Sequence, residues 1–119
     1  MVIAVTYDKA SGEVYPHLGM ATAVKIYHAE DGKVVSSEVV DMKQPGHGPI
    51  AAVFFGHGAN VVICGGIRPS AAGALETSGL ELYAGAKGDA DAAVEAYLAG
   101  KLAHDPDACV AGEICGHDD

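Results

Sequence analysis

The amino-acid sequence predicts one α/β domain in which a mixed sheet is flanked by helices. Three observations lead there. Val2 to Thr6 and Asn60 to Cys64 are short, almost wholly apolar runs, as expected of strands buried on both faces. Between them lie two extended segments joined by Glu30-Asp31-Gly32-Lys33, a hairpin pattern. After residue 60, strand-like and helix-like segments alternate, so helices must cover a sheet. The 119 residues fit a single domain, and half of them are apolar, enough for one core.

Each element has a local reason. The first strand closes on Tyr7-Asp8, and Lys9 to Gly12 reads as a turn. Glu13 to His17 is extended, because the residue before Pro16 is pushed away from helical angles. Ala23 to Ala29 alternates as a strand does, and Val34 to Asp41 returns as its hairpin partner. Gln44 to Pro49 is a loop whose last proline suits the first turn of a helix over 50–57. In that helix Ile50, Val53, Phe54 and His57 share a face. Pro69 opens a second helix that Gly79 stops, and Leu80 to Ala84 is a last short strand. Asp89 caps a third helix, with Ala90, Ala93, Val94, Tyr97 and Leu98 on its buried side and Gly100 at its end. The order is β, β, β, α, β, α, β, α, with five strands. Residues 103–119 have no periodicity and read as a mobile, acidic tail containing Cys and His.

Sixteen acids against seven bases give a formal charge of −9. Such a surface repels phosphate backbones, so nucleic acid and anionic membranes are excluded as partners. The N-terminus has no basic leader and only a short apolar run, which points to the cytoplasm. Thiols stay reduced there, and an odd count of three Cys argues against a disulfide framework.

If the strands pair as expected, four loops converge at one sheet edge: Asp8 to Gly12, Pro16 to Met20, Gln44 to Pro49 and Gly65 to Pro69. Ligands of open α/β sheets favour such edges. His17 lies between Pro16 and Leu18-Gly19, with Gly19 leaving room for close approach. His47 is flanked by Gly46 and Gly48. Two imidazoles on adjacent loops suit a metal or cluster contact. Gly65 and Gly66 lead into a helix, where bare amides and Arg68 would suit an anion; glycines also serve simply to make a tight strand-to-helix turn. The segment matches neither the dinucleotide nor the Walker pattern. In the tail, Cys109, Cys115 and His117 are candidate metal ligands, although their spacing is not that of a zinc finger. Cys64 reads as a core residue. No Ser or Cys stands in a nucleophile motif, and Asp8 has only Asp41 as a possible acidic partner, so the chain is not expected to be an enzyme.

Taken together, several segments resemble the dinitrogenase iron–molybdenum cofactor biosynthesis family. They are Ile3-Ala4-Val5-Thr6, His17-Leu18-Gly19, Val62-Ile63-Cys64-Gly65-Gly66-Ile67 and Gly79-Leu80-Glu81-Leu82-Tyr83-Ala84-Gly85. Gly88-Asp89-Ala90-Asp91 and the helix after it continue the match, which covers residues 1–102 in order. The resemblance implies a ribonuclease H-like fold with a mixed five-stranded sheet flanked by helices. It also implies binding of an iron–molybdenum or iron–sulfur type cluster, or a single transition-metal ion, with His17 as a contact and a cluster-donor or acceptor protein as partner. Stand-alone members with Cys- and His-rich tails add weight to Cys109, Cys115 and His117. Leu18 departs from the usual aromatic after the histidine, and Arg68-Pro69 from a loop richer in small residues. The leading expectation is therefore a metallocluster carrier. The rival is a regulatory or scaffold domain that binds a protein or an anionic metabolite without metal.

Overall fold

A computed structural model describes residues 1–42, 46–67 and 69–102. Its elements are β1 (Val2–Asp8), β2 (Glu13–Val14), a 3-10 turn (Leu18–Met20), β3 (Ala23–Glu30) and β4 (Lys33–Asp41). They continue with α1 (His47–Gly56), β5 (Val61–Ile63), α2 (Pro69–Thr77), β6 (Glu81–Tyr83) and α3 (Ala90–Leu98).

The sheet order is β4-β3-β1-β5-β6. β3 lies antiparallel to both β1 and β4, whereas β5 and β6 run parallel to β1. The sheet is thus mixed, as expected, but it has six strands rather than five. The extra strand is β2, which pairs Tyr7 with Val14 and Asp8 with Glu13 beyond the point where β5 ends. Two residues carry no periodicity, so only tertiary pairing makes them a strand. The 3-10 turn was likewise invisible as an element, and α1 begins three residues earlier than its apolar spacing implied.

β1 explains the layering. Its side chains alternate between two cores, and Ile3, Ala4 and Val5 are all fully buried. On one face Ala4 joins Val24, Ile26, Val62 and Leu82 with Ile50 and Phe54 of α1 and Leu75 of α2. On the other, Ile3 and Val5 join Tyr27, Val61 and Ile63 with Ala90, Ala93 and Val94 of α3. Two helices therefore cover one face and one covers the other. Burying a side chain such as Phe54 contributes about 2–3 kcal/mol.

The β3–β4 hairpin turns at Asp31 and Gly32, whose φ angles are 53° and 77°. That pair of left-handed residues matches the twist of the strands it joins. At the other end of the chain, the Asp89 carboxylate accepts the Ala92 N–H and caps α3. No helix among the described residues is long and apolar enough to cross a membrane. The tail at 103–119, with Cys109, Cys115 and His117, lies outside the described residues, as do Arg68 and the 43–45 part of the loop before α1.

Candidate functional site

Because β4, β1, β5 and β6 all run the same way, their carboxyl ends share one edge of the sheet. The segments leaving these ends, and the chain entering β3, gather there. Three of them build a common wall: the Pro16–Met20 segment, the Gly65–Gly66 strand end and the start of α1.

The first two are joined through backbone. His17 and Gly66 form a parallel bridge, with the Leu18 N–H donating to the Gly66 carbonyl at 2.9 Å. The Gly66 N–H donates to the Pro16 carbonyl at 2.6 Å. Gly65 permits this approach, because a Cβ there would stand 2.6–2.9 Å from the backbone of Pro16. Both glycines are buried, and their geometry is that of a close-packed turn. The Gly66 amide is thereby directed at Pro16.

His17 precedes the 3-10 turn with φ −132° and ψ 116°, and its carbonyl accepts the Met20 N–H. Its side chain is half-buried, and so is Gly19, while Leu18 between them is fully buried. Leu18 anchors the turn in the core, and His17 sits beside that anchor. Sequence reasoning missed Met20, which is 45% exposed on the same turn and adds a soft thioether to the site. Its only signal was its place next to Gly19.

Leu18 also brings in α1. It lines, with Ile50, Phe54 and Leu75, a small apolar cavity of about 60 Å³ where the turn, α1 and α2 meet. α1 starts at His47 after Gly46, has no side-chain cap, and carries no acid in its first turn. An uncapped N-terminus of this kind presents backbone N–H groups and a partial positive charge. The structure therefore brings His17, Gly19, Gly65, Gly66 and the His47 backbone to one edge. It also brings Cys64 there, wholly buried at the end of β5, as the core residue expected of it.

Asp8 and Asp41 are each engaged by a different partner. Asp8 accepts the Ala10 N–H within its own turn, and Asp41 bonds Lys9 at 2.5 Å. Among the described residues, no three His, Cys, Asp or Glu side chains are grouped as a metal ion would require. The shifted titrating groups lie elsewhere. Asp91 is held below the usual carboxylate range by hydrogen bonds from Tyr27 and then Lys25, against a smaller opposing effect of desolvation. Burial, then the bond to Asp91, pushes the Tyr27 hydroxyl well up. A hydrogen bond to Glu81 pushes Tyr83 up to about 12, and burial raises Tyr97. A groove of about 770 Å³ beside Glu81, Tyr83 and Tyr97 opens at the opposite edge, near Met1 and the hairpin tip.

A family model described as dinitrogenase iron–molybdenum cofactor matches residues 1–100. The chain belongs to this family. No curated protein matches it significantly. Among solved structures, it is similar to PH0822, at 27% identity and a TM-score of 0.81, covering 91% of this chain and 97% of the other. It is also similar to the apo form of the orange protein from Desulfovibrio gigas, at 25% identity and a TM-score of 0.73, covering 88% and 92%. Family and neighbours thus agree with the mixed α/β architecture over nearly the whole described chain.

Proposed function

We propose that this member of the dinitrogenase iron–molybdenum cofactor family is an accessory protein that binds an iron–molybdenum or iron–sulfur type cluster and hands it on. The cluster is its cargo. The observation that carries the reading is His17, half-buried on a backbone fixed to the end of β5 and next to Leu18, which packs against Ile50 and Phe54 of α1. An imidazole carried on a fixed loop suits an iron or molybdenum centre. His47 and Arg68 would add a second imidazole and a positive charge, Gly19 would leave room for close approach, and Gly65 and Gly66 hold the His17 loop against the end of β5.

The chemistry of the donor set fits a carrier better than a permanent holder. A closed structural site takes about four protein ligands. The described residues offer no such group. A cluster leaning on one or two imidazoles stays exchangeable, and Cys109, Cys115 and His117 would supply further ligands in transit. A donor or acceptor protein is the partner this role requires. Family membership and the likeness to the orange protein, whose solved form is named apo, support the reading.

The test is anaerobic titration with a synthetic iron–sulfur cluster or isolated iron–molybdenum cofactor, followed by absorption. His17→Ala should weaken binding roughly tenfold or more, about 1.4 kcal/mol, with an unchanged melting temperature. A tail lacking both thiols, Cys109→Ser with Cys115→Ser, should bind more weakly again. Identical curves for native protein and all variants would favour the scaffold reading.

A further inference from the structure

Leu82 of β6 joins the core beneath α1 and α2, so strand alternation turns its neighbours Glu81 and Tyr83 toward α3. There the Tyr83 hydroxyl donates to one Glu81 oxygen at 2.6 Å, and the Tyr97 hydroxyl of α3 donates to the other at 3.3 Å. The two rings meet edge to face, with centroids 5.2 Å apart. Glu81 is exposed. Its carboxylate is thus oriented by two donors and still has acceptor capacity to spare.

The same side of the sheet shows what such a trio holds. Asp91 accepts a hydrogen bond from the Tyr27 hydroxyl, and the Lys25 ammonium bonds Asp91 at 2.9 Å. That ammonium stands 5.1 Å from the centre of the Tyr27 ring and 5.3 Å from that of Tyr7. One carboxylate, a tyrosine hydroxyl bonded to it and a second tyrosine ring therefore surround an alkylammonium, which each ring attracts through its face. At Glu81 the carboxylate and the two tyrosines recur. Neither ion pair among the described residues includes Glu81.

We infer that this corner takes an alkylammonium from outside the chain, and that its ligand is a linear polyamine. The corner opens on the groove of about 770 Å³, which Met1, Ala29 and Leu98 also line. Met1 exchanges two backbone hydrogen bonds with Ala29, so this floor continues the ladder between β1 and β3. Its apolar side chains suit methylene groups. Glu30 and Asp31 line the hairpin end. With Glu81 they make three carboxylates against one ammonium, the Met1 amine, which already donates to the Ala29 carbonyl. Two negative charges remain. A neighbouring groove shares Gly32 and Leu98 and adds Lys33 and Glu95, which offset each other. A methylene chain carrying two or more ammonium groups matches both the floor and the charge. The site does not depend on the cluster reading, since His17 lies at the opposite edge.

Calorimetric titration of the full chain with spermine at low ionic strength should show one site, and the ring resonances of Tyr83 and Tyr97 should shift on binding. Glu81→Gln should weaken binding roughly tenfold or more. Glu38→Gln, at an exposed acid of β4 on the other face of the sheet, should change it by less than about twofold. Tyr83→Phe keeps the ring but releases the carboxylate, so it should fall between the two. Butylamine, with one ammonium, should bind native protein at least roughly tenfold more weakly than spermine. That comparison and the ring shifts need no variant, so they decide even if a variant unfolds. Equal losses in Glu81→Gln and Glu38→Gln would reduce the binding to the general pull of an acidic surface and overturn the proposal. Unmoved rings would do the same, as would an oligolysine peptide that binds where spermine does not.

Discussion

At Gly65 an added Cβ would stand 2.6 Å from the Pro16 carbonyl oxygen and 2.8 Å from its Cα. These are backbone atoms that cannot swing aside, so Gly65→Ala must separate the turn from the end of β5. The expected cost is about 2–3 kcal/mol, the usual penalty for overpacking a tight contact. A chemical melt would measure it, and cluster binding should weaken in the same variant because His17 moves with Pro16. Gly19→Ala probes a different need. Gly19 is half-buried in the middle of the 3-10 turn, so Gly19→Ala is expected to act more on cluster affinity than on stability. Chemical denaturation and cluster titration together separate the two glycines. The sequence showed the Gly-Gly pair and the histidine. It did not show that Gly66 bonds Pro16 and Leu18, since that contact joins residues nearly fifty positions apart and leaves no local pattern.

α3 shows how one element is fastened. Asp89 caps its start, and Asp91 in its first turn receives hydrogen bonds from Lys25 and Tyr27 of β3. Asp89→Ala should cost about 1 kcal/mol, as loss of an N-cap usually does. Asp91→Asn should cost less, about 0.5–1 kcal/mol, because the carboxylate is 59% exposed and water screens the pair. Its pH dependence has a definite sign. A carboxyl held below its ordinary value of 3.8 contributes stability that is full above that pH and disappears as pH falls below it. The stability gap between native protein and Asp91→Asn should therefore close below about pH 3.8, readable from melts across acid pH. The capping Asp89 and the apolar face of α3 were legible, because both obey spacing rules. The partners of Asp91 were not, because Lys25 and Tyr27 sit on a strand far away in sequence. The spacing also overvalued Leu98, which is half-buried, whereas Val94 is fully buried. Val94→Asp is the sharper core probe, and it should destabilise by several kcal/mol in a thermal melt.

At the scale of the whole molecule the governing quantity is charge. Among the described residues two salt bridges form, Lys9 with Asp41 and Lys25 with Asp91, and the chain carries a formal charge of −9, so its acids repel one another across a small domain. Self-repulsion of this kind destabilises the compact state, and added salt relieves it by shortening the reach of each charge. Raising ionic strength from low to physiological should therefore raise the melting temperature, since surface ion pairs contribute too little for their screening to reverse the sign. In a domain of this size, 1 kcal/mol corresponds to about 4–8 °C, so a shift of a few degrees is expected. The tail offers an internal control. Residues 103–119 hold five acids and no Lys or Arg, so removing them takes the formal charge from −9 to −4. If the tail acts through charge and ligands rather than packing, the truncated chain should melt at least as high at low salt and respond less to added salt. It should also take up less iron or zinc, because Cys109, Cys115 and His117 go with it. Calorimetry in a salt series, run on both chains without metal, checks the first part. A truncated chain that melts several degrees lower at every salt concentration would show that residues 103–119 contribute packing to the domain.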